Sequence, residues 1–235
     1  QKTAYEIRNC DWSSDVCSSD LMRINPRLSG PSRTRPFSGL HLLRVADLEQ
    51  REIVGLPDNA RIENVNWSPD AAYIAFTNAR DDGIELWVAS VNDGRARRLT
   101  GPILNLTARI DPQWVSDSRT LLCTLMPENR GGEPPASDVP AGPVVQENIG
   151  KKAPARTYQD LLKNAHDEAL FDHYFTSQLA KVDVEGNVER LGEPGILWNV
   201  EVAPNGAHIL VETIHRPFSY LVPARRFPKR VEIWD

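Results

Sequence analysis

The residues of this chain that could carry out chemistry are few. His166 and His173 stand seven residues apart in a segment of helical spacing, and Asp167, Glu168 and Asp172 lie between them. A zinc site would need a closer pair and a third ligand, so the pattern favours solvated histidines on a polar helix face. There is no GxSxG nucleophile elbow, HExxH motif or phosphate-binding loop. These residues predict neither a metal site nor a cofactor in this chain.

The first 21 residues resemble a translated artefact. Asp11–Leu21 resembles the continuous, in-frame translation of an adaptor used in short-read sequencing libraries, and Gln1–Ile7 resembles the other end of that adaptor. We therefore set Gln1–Leu21 aside as adaptor-derived and expect it to be unstructured, because it has little apolar area to offset chain entropy. Met22–Asp235 is expected to be a fragment truncated at both ends.

Charge and composition exclude several classes of function. The 235 residues include 27 basic and 32 acidic ones, for a net charge of −5. Gln1–Leu21 holds two basic and four acidic residues, so the remainder carries −3, which argues against nucleic acid or an anionic membrane surface as a partner. No apolar run is long enough to span a bilayer. Outside Gln1–Leu21 the only cysteine is Cys123, so no disulfide framework is expected.

The apolar pattern is that of short strands joined by tight turns. A strand ending at Trp67 is followed by the turn tripeptide Ser68-Pro69-Asp70, and a similar unit contains Trp114, 47 residues later. A third copy begins at Val200. This period predicts an all-β fold, a partial β-propeller of about three four-stranded blades. An irregular β-sandwich is the alternative.

A long insertion interrupts the second predicted blade. Pro127–Pro143 is rich in proline, glycine and acidic residues, which predicts a loop. Thr157–Tyr174 then has helical spacing, and Thr157 with Asp160 resembles a capping box. The sheet resumes at Ser177–Asp183. An insertion of this size favours a functional or interfacial role.

Several segments carry a family resemblance. The most specific are Arg156–Asn164, His215–Pro223 and the motif Arg226-Phe227-Pro228-Lys229. Arg130-Gly131-Gly132-Glu133-Pro134-Pro135 supports them, and the match covers essentially all of Met22–Asp235. Together they resemble the propeller of the prolyl oligopeptidase family, and most closely its glutamyl-endopeptidase-like branch, which is found in bacteria and chloroplasts.

Three turn positions depart from that family's pattern. Ala71 stands where a glycine is usual, Val115 replaces a proline, and Asn205 replaces an aspartate. The changes are small, and the family's propeller fold is still expected.

The resemblance implies a function for the whole protein. In this family the propeller precedes an α/β-hydrolase domain that holds the serine nucleophile, its histidine base and the orienting aspartate, and that domain is absent from Met22–Asp235. The resemblance implies a bacterial serine peptidase that cleaves peptides after acidic residues, whose non-catalytic propeller gates and helps to bind substrate. The fragment is expected to be inactive, with the peptide and its own hydrolase domain as partners. A periplasmic or secreted location is also implied.

The resemblance also nominates substrate-binding residues. A peptidase that accepts an acidic residue needs a positive group, and a guanidinium suits a carboxylate best. Arg216, Arg225 and Arg226 lie in the most family-specific stretch, and Arg226 is the first choice because it belongs to the family-like motif. Pairing with acidic residues of the hydrolase domain, or simple solvation, is the alternative.

A different class of function remains open. A stand-alone TolB-like propeller that binds other proteins has similar turns. The gene downstream of Asp235 discriminates the two, because a peptidase must continue into a nucleophile elbow and a binding module must not.

Overall fold

The structure is a computed structural model that describes residues 16–17, 23–135 and 161–235. Within these ranges the chain is built of strands, with one α-helix, α1 (Ala165–Phe175), and one 3-10 helix (Ala224–Arg226). The strands in chain order are β1 (Val16–Cys17), β2 (Arg23–Asn25), β3 (Gly30–Pro31), β4 (His41–Leu43), β5 (Gln50–Glu52), β6 (Ile62–Trp67), β7 (Tyr73–Ala79), β8 (Ile84–Ser90), β9 (Ala96–Arg98), β10 (Gln113–Trp114), β11 (Thr120–Leu125), β12 (Thr176–Asp183), β13 (Val188–Val202), β14 (Ile209–Ile214) and β15 (Lys229–Trp234).

The larger sheets are antiparallel meanders in which each strand pairs with its neighbour in sequence. β6 to β9 form one four-stranded sheet, and β10 to β15 form a six-stranded sheet. The long strand β13 joins two blades, because its first half pairs with β12 and its second half, beyond an irregularity between Leu197 and Asn199, pairs with β14. The described residues thus contain three successive blades, and the predicted all-β fold, a partial β-propeller with an inserted helix, is confirmed.

Apolar side chains between the first two blades form the main core. Leu86 of β8, Leu121 of β11 and Val182 of β12 are fully buried in one cluster. Cys123 lies in the same cluster, and burial raises the pKa of its thiol to about 12. A thiol with so high a pKa is a structural apolar residue rather than a nucleophile.

The three predicted strand-turn units share one turn geometry. In each, the amide of the first turn residue donates to the carbonyl of the residue five positions later, and the amide of the fourth residue donates back to the first residue's carbonyl. The turns begin at Ser68, Val115 and Ala203. The predicted recurrence of the strand-turn unit is therefore confirmed, because the same two backbone hydrogen bonds are present in all three turns.

The third residue of these turns holds the loop through a side-chain oxygen. Asp70 Oδ1 accepts from the amide of Ala72, and Asn205 Oδ1 accepts from the amide of Ala207, each at 3.0 Å. A hydrogen bond from Ser68 and the one from Ala72 hold the pKa of Asp70 below its ordinary value. Asparagine supplies the same acceptor as aspartate, which explains why the substitution at position 205 preserves the turn.

The helix predicted over Thr157–Tyr174 is confirmed, but it begins later. Asn164 caps α1, and its Oδ1 accepts from the amide of Asp167 at 2.9 Å. Residues 161–164 are not helical, and the predicted cap residues Thr157 and Asp160 lie outside the described residues. No helix in the described ranges is long and apolar enough to cross a membrane.

Of the adaptor-like segment, the structure describes Val16–Cys17 alone. These two residues form β1, whose backbone pairs with β2. The rest of Gln1–Leu21 lies outside the described residues, so its expected lack of structure stays a prediction.

The fourth turn residue leads to a stability prediction, because its backbone is left-handed. The angle φ is 59° at Ala71, 59° at Ser118 and 72° at Gly206. A side chain is strained there and glycine is not. We expect Ala71→Gly to raise the free energy of unfolding by roughly 0.5–1 kcal/mol, since relief of strain exceeds the added unfolded-state entropy. Urea unfolding followed by tryptophan fluorescence measures it.

Two matched substitutions serve as controls for the Ala71→Gly measurement. Ala72→Gly, at a neighbour without positive φ, should lower stability. Gly206→Ala should also lower it, because the new Cβ would lie 2.4 Å from Ser116 Oγ. If Ala71→Gly destabilises as much as Ala72→Gly, the strain assigned to Ala71 is wrong.

Candidate functional site

Two long connections leave the propeller at the same end. One joins β11 to β12 and carries α1, and the other joins β14 to β15 and carries the 3-10 helix. Both link the second and third strands of their blades. Because strands of a meander reverse direction at each step, equivalent connections in neighbouring blades emerge together. We call the surface formed by α1 and residues 215–228 the insertion face.

Aromatic rings join the two halves of the insertion face. Phe171 of α1 packs edge-on against Phe218 and Phe227, with centroids 5.2 and 5.8 Å apart. Phe218 and Phe227 stack on each other at 5.4 Å. Phe171 is fully buried and Phe227 nearly so. The two insertions therefore lie together on one face of the described blades.

Arg216 adds charge pairing to this aromatic packing. Its guanidinium donates through Nη1 to Glu168 and through Nη2 to Asp172, one helical turn apart on α1. The same group lies 4.6 Å above the ring of Phe218. A hydrogen bond from the Tyr220 hydroxyl, with a smaller contribution from Arg216, holds the pKa of Glu168 below its ordinary value. Glu168 and Asp172 are therefore more than the simple polar helix face expected from the sequence.

Arg225 and Arg226 lie on the 3-10 helix of the insertion face. Both side chains are exposed on the 3-10 helix, whereas their neighbours Ala224 and Phe227 are buried. The turn is closed by the amide of Arg226, which donates to the carbonyl of Pro223 at 2.8 Å. The structure thus separates the three predicted arginines, with Arg216 against α1 and the other two at an anchored, solvent-facing turn.

Within the described ranges, the two histidines of α1 belong to no candidate metal centre. Both are partly buried, and the ring of His173 packs against that of Tyr174 at 4.8 Å. Burial, with Arg130 nearby, lowers the pKa of His173. Among the described residues no group of three or more acidic, histidine or cysteine side chains could hold a metal ion.

Beside the insertion face lies a group that the sequence interpretation did not single out. We call Ser29, Met126, Arg130, Glu133 and Tyr174 the Arg130 cluster. Arg130 Nη1 donates to Ser29 Oγ at 2.6 Å and to Met126 Sδ at 3.0 Å, and the guanidinium lies 4.9 Å from the ring of Tyr174. The Tyr174 hydroxyl donates to Glu133 Oε2 at 2.7 Å. Burial lowers the pKa of Arg130, against the effect of Tyr174 and Glu133.

One edge of the Arg130 guanidinium makes no hydrogen bond with the described residues. Its Nε and Nη2 atoms are buried and have no hydrogen-bond partner among the described residues. The sequence held a signal for this group, because Arg130 and Glu133 flank a glycine pair in a segment that resembles the family. That signal supported the resemblance, but it could not show which edge of the arginine lacks a partner.

Unfolding experiments can compare the contributions of aromatic packing and of ion pairing to the stability of the insertion face. We expect Phe171→Ala to lower the free energy of unfolding by about 3–5 kcal/mol, because it removes a fully buried ring. Arg216→Gln should lower it by about 1 kcal/mol or less, since the arginine side chain is 54% exposed and water screens its ion pairs. Urea denaturation of each variant measures both. An arginine substitution as damaging as the phenylalanine substitution would mean that charge, rather than packing, joins the two connections.

Two plant proteins are similar to the chain along most of its length. A protein of Oryza sativa subsp. japonica named "Probable glutamyl endopeptidase, chloroplastic" is 36% identical over 238 residues, which cover 94% of this chain and 25% of that protein. A protein of the same name from Arabidopsis thaliana is 37% identical over 236 residues, covering 92% and 25%. The chain therefore spans about a quarter of the length of these curated relatives. No protein-family model matches it.

Solved structures show a more distant likeness. An acylaminoacyl peptidase from Pyrococcus horikoshii has a TM-score of 0.48 and 18% identity, over 83% of this chain and 26% of that chain. At this TM-score the likeness adds nothing to the fold described above. The plant relatives confirm the resemblance that the sequence predicts, because along most of its length the chain is similar to proteins named glutamyl endopeptidase.

Proposed function

We propose that this chain is the non-catalytic propeller portion of a serine peptidase that cleaves peptides after acidic residues. The observation that carries the proposal is the identity of 36% to a plant glutamyl endopeptidase over 94% of the chain. The blade organisation of the described residues supports it. In this proposal the propeller gates access of the peptide and contributes to its binding.

The chemistry itself belongs to another part of the protein in this proposal. A serine nucleophile, a histidine base and an aspartate would act from an α/β-hydrolase domain of the same protein. Reading the gene beyond the codon for Asp235 is the first test. A GxSxG-type elbow in the continuing frame is the expected result. An early stop after further blades would contradict the proposal and support a TolB-like binding module.

The insertion face is the proposed surface toward that hydrolase domain. It carries the two connections of the described blades that are most unlike simple hairpins, and their mutual packing makes the face rigid. Buried Ala224 and Phe227 anchor the 3-10 helix, so its exposed arginines are held on a fixed support. Anchoring of the turn restricts the backbone that carries these two side chains, which lowers the entropy lost when one of them binds a carboxylate.

Arg226 is the proposed reader of the substrate's negative charge on this face. Arg226 is the first choice because it belongs to the family-like motif Arg226-Phe227-Pro228-Lys229, and Arg216, which donates to Glu168 and Asp172, is an alternative. Arg225 is the matched neighbour, exposed on the same turn.

Substitution in the complete protein tests this role. Arg226→Ala should lower kcat/KM for peptides with glutamate before the scissile bond by about 10- to 100-fold, as loss of a charge-assisted hydrogen bond of roughly 1.5–3 kcal/mol predicts. The rate on matched glutamine peptides should change little, and Arg225→Ala should leave the preference intact. Equal losses on both substrates would assign Arg226 a structural role instead.

A further inference from the structure

The unpaired edge of Arg130 has the form of a carboxylate site. Nε and Nη2 of a guanidinium present two N–H donors side by side, at a spacing that matches the two oxygens of a carboxylate. Both atoms are buried and without a partner among the described residues. A buried charged donor that stays unpaired is strongly unfavourable, so the arrangement calls for an anionic partner.

We infer that the Nε–Nη2 edge of Arg130 binds the side-chain carboxylate of an acidic peptide substrate. The identity of the ligand rests on the proposed peptidase function. Arg130 is thus a second candidate, beside Arg226, for the group that binds the glutamate carboxylate, and the effects of the two substitutions on the glutamate preference decide between them.

Three contacts hold the guanidinium in place before any ligand arrives. Nη1 is fixed by Ser29 Oγ and Met126 Sδ, and the plane of the group lies against the ring of Tyr174. All three leave the opposite edge unused. A donor fixed in this way loses little freedom on binding, which favours a specific complex.

Glu133, an acidic residue of the same loop, is hydrogen-bonded to Tyr174 rather than to Arg130. Glu133 lies three residues from Arg130 and influences its pKa, but its Oε2 accepts the hydroxyl proton of Tyr174. No ion pair joins Arg130 to Glu133 among the described residues. Tyr174 therefore has two contacts in the cluster. Its ring lies against the Arg130 guanidinium, and its hydroxyl donates to the Glu133 carboxylate, which would otherwise compete with a ligand for Arg130.

The loop that carries Arg130 is open to solvent at its glycine pair. A Cβ added at Gly131 or Gly132 would meet no atom within 4 Å. The described residues of this loop, 126–135, contain no strand or helix. Since Nε and Nη2 are closed to water in this arrangement, the carboxylate reaches them by a shift of the loop that carries the glycine pair.

Arginine substitutions in the complete protein test the inference. The readout is the ratio of kcat/KM on two peptides that differ only by glutamate or glutamine before the scissile bond. Arg130→Met should reduce the glutamate preference by about tenfold or more and largely spare the glutamine rate. Arg130→Lys keeps the charge but not the paired donors, so it should give an intermediate ratio.

Two further variants predict changes of opposite sign. Tyr174→Phe keeps the ring but frees Glu133 to pair with Arg130, so the glutamate preference should fall. Glu133→Gln removes the competing charge, so the preference should rise. The double variant Tyr174→Phe, Glu133→Gln should recover the preference lost in Tyr174→Phe, a rescue that a merely structural role of Tyr174 would not produce.

Each outcome decides the matter. If Arg130→Met slows both peptides equally, or Glu133→Gln lowers the preference, the inference is overturned. If the unaltered protein cleaves neither peptide, the proposed function fails, and calorimetric titration with N-acetylglutamate amide and N-acetylglutamine amide then tests the site alone. Binding of the glutamate compound only, abolished by Arg130→Met, would uphold the carboxylate site. Equal affinities for the two compounds would refute it.

Discussion

In an antiparallel meander the connections alternate between the two ends of the sheet, and this constraint determines where the chain's unusual segments lie. The shared turns at Ser68, Val115 and Ala203 close one end of three successive blades with the same hydrogen bonds. The connections that follow β11 and β14 must then emerge at the other end. The insertion face exists because both of these connections are long and because apolar side chains join them.

The insertion face and the Arg130 cluster show two ways of placing an arginine. Arg216 is half exposed, lies over an aromatic ring and donates to two acids. Arg130 also lies over an aromatic ring, but it is more buried and its remaining edge faces no described acceptor. The first arrangement satisfies the cation and joins two segments. The second leaves two buried donors without a partner among the described residues, and in our inference these donors bind an external anion.

Both arginines act through α1, which gives the helix a central place. Its polar side pairs with Arg216, its buried side carries Phe171, and its last turn supplies Tyr174 to the Arg130 cluster. A change in the position of α1 would therefore alter both arginine environments together. Under the proposed function, this coupling would link the docking of the proposed hydrolase domain to substrate recognition.

Local patterns in the sequence predicted the blades well, and the pairing of distant charges poorly. The turn at Ser68 and its copies were readable because the turn residues are adjacent in sequence and recur. The start of α1 was not, because both Thr157 and Asn164 are good cap residues and their types alone do not decide between them. The partners of Arg216 lie more than 40 residues away, and the free edge of Arg130 depends on the side-chain geometry of Ser29 and Tyr174.

The central proposal is that the insertion face contacts a catalytic domain of the same protein. Amide hydrogen exchange, compared between the complete protein and the present chain, measures it most directly. We expect the amides of α1 and of Ala224–Arg226 to exchange more slowly in the complete protein, while the turns at the other end of the blades, such as that at Ser68, remain unchanged. Equal exchange on the insertion face in both proteins, or protection confined to the opposite turns, would contradict the account.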